Sequence, residues 1–216
     1  MLTAYPQSFS PNFQAYKLNS IKKGLQKIDI YSINTEDKIL IDRMLNVAKG
    51  QKFPADSKML GEGTVRNVFD NALKRAKNIT LDSNNRVLLA VEDNKKITGI
   101  MDIQEAGDMY VKGLAVWNEN PAAREGLVIS ALKDVFKSTG DFACLILPSE
   151  KSSNNVKRFF RKLGFKTPRD FGNKNLMVEG ENIQSTINKI QDRYGENLTG
   201  NKKIKVDLAK TLKLDE

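Results

Sequence analysis

The chain has 216 residues, 40% hydrophobic and 28% charged, which suits one large domain with a buried core and some extensions. Its 35 basic and 26 acidic residues leave a net charge of +9, a surface that favours phosphorylated or other anionic ligands over cationic ones. There is no histidine and one cysteine, Cys144, so Ser-His and Cys-His nucleophile pairs, the common His-bearing zinc sites and any intrachain disulfide are excluded.

Any general base is therefore a carboxylate, a tyrosine, a lysine, a water or the substrate amine. Cys144 lies inside the apolar run Phe142-Ala143-Cys144-Leu145-Ile146-Leu147 and reads as a small buried hydrophobe. The first residues lack a basic segment followed by an apolar one, and no apolar run approaches the ~20 residues of a membrane span. A cytoplasmic protein with no membrane partner is expected.

Residues 1–26 mix prolines and aromatics with polar residues without period, and read as an extended N-terminal arm. Residues 27–34 alternate Ile28, Ile30 and Ile33 against polar neighbours, a half-buried strand. Thr35 is placed to cap a helix whose stripe is Ile39, Leu40, Met44, Leu45, Val47 and Ala48, ending at Gly50. A loop over 50–62 precedes a second helix, 64–77, with Val65, Val68, Phe69, Leu73 and Ala76 on one face.

Residues 86–92 are a continuous apolar strand. The polar turn Asp93-Asn94-Lys95-Lys96 makes a hairpin with 97–103, and 109–117 is a third antiparallel strand. A turn over 118–124 leads into a helix over 125–138, with Leu127, Val128, Ala131, Leu132, Val135 and Phe136 inward. A buried strand over 142–147 ends at Pro148. The next helix, capped by Ser152 or Ser153, carries Val156, Phe159, Phe160 and Leu163 and stops at Gly164. A short strand over 175–178, a helix over 183–194 and a Lys-rich tail, in which 204–208 can form a short strand or a helix, complete the chain. A meander followed by a right-handed crossover gives a mixed α/β sheet in three layers, with helices on both faces.

Three runs in that order carry chemistry. Leu114-Ala115-Val116 ends a strand and is followed by Pro121 and Arg124. Ser130-Ala131-Leu132 continues the next helix. Residues 159–165 read Phe-Phe-Arg-Lys-Leu-Gly-Phe. Together they resemble the acetyltransferase superfamily named for general-control-type N-acetyltransferases (GNAT), over residues 27–180. The resemblance implies a 27–180 acetyltransferase domain flanked by the 1–26 arm and a 181–216 helix and basic tail.

It also implies acetyl-CoA as cofactor. In that family, free N–H groups of the turn hold the pyrophosphate at a helix N-terminus. The two central strands splay, and the pantetheine arm pairs with the edge of the first as an extra strand would. By position, Leu114, Ala115 and Val116 would contact the pantetheine and the acyl oxygen. Arg124, Glu125, Gly126, Leu127, Val128 and Ile129 would form the pyrophosphate loop. Ser153, Asn154 and Phe160 would line the far side. Tyr110, sharing a strand face with Lys112 and Leu114, is the candidate catalytic residue. Glu92, Asp102 and Glu105 are further acidic residues near strand ends. No metal site is implied.

The sequence departs from the family pattern at chemical positions. Leu127 and Ile129 stand where glycines let the backbone approach a phosphate, Glu125 adds a negative charge, and Gly126 is displaced by one position. Phe160 stands where a tyrosine protonates the leaving thiolate, and Ser153 stands for an asparagine. The first reading is acyl-CoA-dependent N-acetyl transfer to an amine by direct attack, with a small-molecule or peptide amine acceptor. The alternative is a catalytically inactive GNAT-like binding or regulatory module. A third reading, ranked last, is a nucleic-acid-associated protein using the basic surface; without a nucleic-acid motif, nucleic acid is not expected as a partner.

Overall fold

In the computed structural model, the described residues are 14–33, 37–50, 52–53, 58–61, 63–77, 84–106, 108–139, 144–148, 150, 152–168, 174–200 and 203–214. They build one mixed sheet with helices on both faces. The strands are β1 (Gln14–Lys23), β2 (Gln26–Ile33), β3 (Lys58–Leu60), β4 (Asn84–Glu92), β5 (Lys96–Ala106), β6 (Asp108–Val116), β7 (Cys144–Pro148), β8 (Asn175–Glu179), β9 (Leu198–Thr199) and β10 (Ile204–Asp207). Their order is β10-β1-β2-β4-β5-β6-β7-β8, with β3 paired to β6 and β9 to β1. β6 and β7 run parallel and their other neighbours antiparallel.

The helices are α1 (Lys38–Gly50), α2 (Val65–Lys77), α3 (Pro121–Thr139), α4 (Asn154–Leu163), α5 (Glu181–Tyr194) and α6 (Leu208–Thr211). Leu127, Leu132, Phe160 and Ile187 of α3, α4 and α5 pack on one face of the sheet. Leu40, Ile41, Phe69, Leu73 and Leu208 of α1, α2 and α6 pack on the other. No helix among the described residues is long and apolar enough to cross a membrane.

Local chemistry sets several of these boundaries. The β4–β5 hairpin turns on Asp93 and Asn94, at φ 48° and 58°, where the pair of positive φ angles matches the twist of the flanking strands. Ser153 caps α4 by accepting from the Val156 N–H, and Gly164 ends it in the left-handed region at φ 107°. The Thr35 cap lies outside the described residues. At that end of α1 the Asp37 carboxylate accepts from the Leu40 N–H at 2.9 Å.

The chain departs from its sequence pattern in four places. The arm expected over 1–26 enters the sheet from Gln14, while residues 1–13 lie outside the described part. That strand is concealed because its buried positions include Asn19 and Ser20. Each finds a hydrogen-bonding partner, Asn19 at Ser130 and Ser20 at Asp29. The loop expected over 50–62 contains β3. The tail after Gly195, expected to order only over 204–208, adds β9 as well as β10 to the edge of β1. Finally, the helix expected from 125 begins at Pro121, one turn earlier.

Candidate functional site

The centre of the fold is the divergence of β6 from β7. β5 pairs along one edge of β6 from Asp108 to Val116. On the other edge β7 pairs only at Met109 and Tyr110. Beyond that point the strands part and the edge of β6 over Leu114 and Ala115 needs another partner. The chain supplies it: Lys58 of β3 lies opposite Ala115 and Leu60 opposite Leu114, antiparallel. Leu60 is 5% exposed. Gly61 follows in the left-handed region at φ 117°, so close that an added Cβ would stand 3.4 Å from the Gly113 Cα. The edge on which an extended ligand arm would pair is therefore held by the protein's own strand.

The expected pyrophosphate loop is not a loop. Arg124, Glu125, Gly126, Leu127, Val128 and Ile129 lie inside α3. Its first turn is closed locally. Asn120 Oδ1 accepts from Ala122 and Ala123 N–H at 3.0 and 3.3 Å, and the Asn120 carbonyl accepts from Arg124 N–H at 3.1 Å. Pro121 has no N–H to offer.

Nor do the side chains of that segment face a ligand. Leu127, Val128 and Ile129 are fully buried, and Leu127 packs over Gly99 of β5. Gly126 serves the helix–sheet contact, since a Cβ there would stand 2.9 Å from the Ile30 Cδ1. Glu125, 2% exposed, is ion-paired to Arg193 of α5. Burial and Glu125 together push the Tyr194 phenol pKa up. Arg124 is the exception: it is half-buried, with its guanidinium 4.0 Å over the Phe159 ring. The residues of α3 do not fit a pyrophosphate, and with β3 in place the Leu114–Val116 edge does not fit a pantetheine arm.

The remaining expected residues scatter by role. Ser153 is spent on the α4 cap and Asn154 is exposed. Phe160 is fully buried between Phe159 and Phe165, with ring centroids 4.9 and 5.1 Å away. Tyr110 is half-buried, with the Lys112 ammonium 5.4 Å from its ring centroid. Burial pushes the half-buried Cys144 thiol up to about 12, so it stays protonated.

Two clefts lie near this centre. One, of about 500 Å³, opens between α2, β3, the middle of β6 and the end of β7. Asn71, Arg75, Gln104, Lys112 and Glu150 supply its polar wall. Arg75 also donates from Nε at 2.7 Å to Asp102 Oδ2, on β5 opposite Gly113. Asp102 is fully buried, and its Oδ1 has no hydrogen-bond partner among the described residues. Burial raises its carboxyl to about 6, with Arg75 and Lys112 holding it back. This carboxyl can exchange a proton close to neutral pH, but it is locked to Arg75 and sealed from solvent. The second cleft, of about 310 Å³, lies between α3, α4 and α5 and is strongly basic, with Arg124, Arg158, Lys162 and Arg193 on its walls.

Sequence reasoning passed over β3, Arg75 and the basic cleft. A helix with Lys157, Arg158, Arg161 and Lys162 and no acidic residue was a readable signal for the last. The early start of α3 was readable too, as an Asn cap followed by proline at the first helical position.

Known structures share this architecture. The crystal structure of AtaTR bound with AcCoA matches with a TM-score of 0.50 at 13% identity, covering 73% of this chain and 96% of that one. The AtaT-AtaR complex bound to DNA matches at 0.49 and 15%, covering 72% and 97%. Apo FdhC, a nucleotide-linked sugar GNAT, matches at 0.49 and 14%, covering 85% and 98%. No family model and no curated protein matches the sequence. The fold is that of the GNAT acetyltransferases. The expected partners, a small-molecule or peptide amine acceptor and no nucleic acid, are corrected here, because the similar structures include a two-protein complex bound to DNA.

Proposed function

Taking the GNAT acetyltransferase fold as premise, we propose that this chain is a binding or regulatory module on that scaffold, not a working acyl-CoA-dependent N-acetyltransferase. The observation that carries this reading is β3, a strand of the chain itself, on the edge of β6 that β7 leaves open. The self-capped first turn of α3 and the buried, hydroxyl-free Phe160 support it independently. Its partners on this reading are macromolecules, protein or nucleic acid.

Calorimetric titration with acetyl-CoA and CoA tests it. No binding heat and no thermal stabilisation are expected at millimolar ligand. A ligand at about 100 times its dissociation constant would add about 2.7 kcal/mol. Such stabilisation in the unmodified protein would overturn the reading.

A second reading, acetyl transfer with acetyl-CoA, draws on one observation of its own. The cleft of about 500 Å³ lies beside β3, and β3 is only three residues long. AtaTR shares the fold and its structure holds AcCoA. On that reading β3 must leave the edge before the cofactor pairs there.

A further inference from the structure

We propose that the exposed face of α4, continued by α5, is a docking surface for the phosphodiester backbone of a nucleic acid. α4 buries Val156, Phe160 and Leu163 and turns Arg158, Arg161 and Lys162 to solvent. The helix has no acidic residue to offset them. Arg158 and Lys162 form no ion pair among the described residues, whereas Arg75, Arg86 and Lys77 are each neutralised by a carboxylate. Glu125, the carboxylate on the cleft wall, is already engaged by Arg193. The Lys189 ammonium extends the basic face toward the C-terminal end of α4, 3.7 Å from where a Cβ on Gly164 would stand.

The cleft wall is also held in place. The Arg124 guanidinium lies on the half-buried Phe159 ring, and its Nε is buried without a hydrogen-bond partner among the described residues. A planar fork anchored on an aromatic loses little freedom when it meets a phosphate. A helix of 10 residues is about 15 Å long. A duplex carries one charge per ~1.7 Å of axis, so a surface of that length spans several phosphates at once. Multiple Arg and Lys groups along one backbone suit a polyanion better than a single free phosphate. The chain's net charge of +9 adds long-range attraction of the same sign. This surface lies across the sheet from α1 and α2, and its use does not depend on whether the β6 edge is closed.

Fluorescence anisotropy with short labelled oligonucleotides of mixed sequence, single-stranded and duplex, tests the proposal across a salt series. Binding at low salt is expected, weakening as salt rises. Arg158→Glu with Lys162→Glu should lower affinity more than about tenfold and reduce the log–log salt slope for duplex by about 0.9 for each phosphate no longer neutralised. Lys38→Glu with Lys74→Glu, on exposed positions of α1 and α2 across the sheet, makes the same charge change and should do far less. The milder pair Arg158→Ala with Lys162→Ala, checked for an unchanged melting temperature, repeats the measurement without added negative charge. No binding at low salt, or equal losses in the α4 and α1–α2 variants, would overturn the proposal. So would displacement by polyglutamate as effective as by unlabelled oligonucleotide, which would assign the surface to an acidic protein. Displacement by CoA at far lower concentration than its phosphate content explains would also overturn it, by making the cleft a site for that ligand.

Discussion

Replacing Leu60 by aspartate should unlatch β3 from β6. Leu60 is 5% exposed and sits opposite Leu114 in one of two cross-strand pairs. Its burial contributes about 1.5–3 kcal/mol. Each of about two strand–strand hydrogen bonds adds about 0.5–1.5 kcal/mol. Displacing β3 therefore costs about 2.5–6 kcal/mol. At about 1.4 kcal/mol per decade, any ligand competing for that edge binds about two to four orders of magnitude more weakly than to an open one. Hydrogen exchange reads the strand directly. The β3-facing amide of Leu114 or Ala115 should be protected by about that free energy in the unmodified protein and lose its protection in Leu60→Asp, while amides facing β5 keep theirs. A β3-facing amide that exchanges freely in the unmodified protein would refute the pairing. A CoA titration of the same variant then separates the two functional readings. The closed first turn of α3 predicts that Leu60→Asp still fails to bind, whereas recovered affinity would make β3 a gate over a usable site.

Asp102→Asn should flatten the pH dependence of stability. The folded pKa is raised from 3.8 to about 6, so the folded state holds this proton more tightly than the unfolded chain. The contribution is fully present below pH 3.8 and lost as pH rises through about 6, amounting to about 3 kcal/mol across that window. Urea denaturation at pH 3 and pH 7 should show a difference between variant and parent that changes by about that amount, and parallel curves would discard the buried-carboxyl account. Phe160→Tyr should bring no acetyltransferase activity. Instead it should destabilise by about 1–3 kcal/mol, because the added hydroxyl enters a fully buried aromatic cluster. Denaturation midpoints and an acetyl-CoA hydrolysis assay check both halves.

Much of the architecture was legible in side-chain period. The meander over β4, β5 and β6 announced itself through apolar runs broken at Asp93-Asn94, and both turn residues take the positive φ such a hairpin needs. The Lys-Leu-Gly-Phe ending of α4 meant what it resembled: Leu163 faces inward and Gly164 adopts the left-handed stop. β1 was hidden because period detection reads hydrophobicity, and its inward positions include Asn19 and Ser20, made tolerable only by Ser130 and Asp29. At the candidate site, the departures at Leu127, Ile129 and Phe160 were visible as letters. What they do was not, because a leucine in place of glycine can obstruct a phosphate or simply join a core.

The sequence alone determined the order of the elements from β4 to α5, the absence of histidine chemistry and the concentration of positive charge on α4. These follow from local spacing and composition. Tertiary structure decided the rest. Extending α3 by one turn drew Pro121 to Arg124 into the helix and closed its first N–H groups on Asn120, while Glu125 to Ile129 pack against Ile30, Gly99 and Arg193. Three residues, Lys58 to Leu60, became a strand only because β6 and β7 part and leave backbone groups to satisfy. No local pattern in Lys-Met-Leu encodes that pairing, since its partner edge comes from a strand distant in the chain.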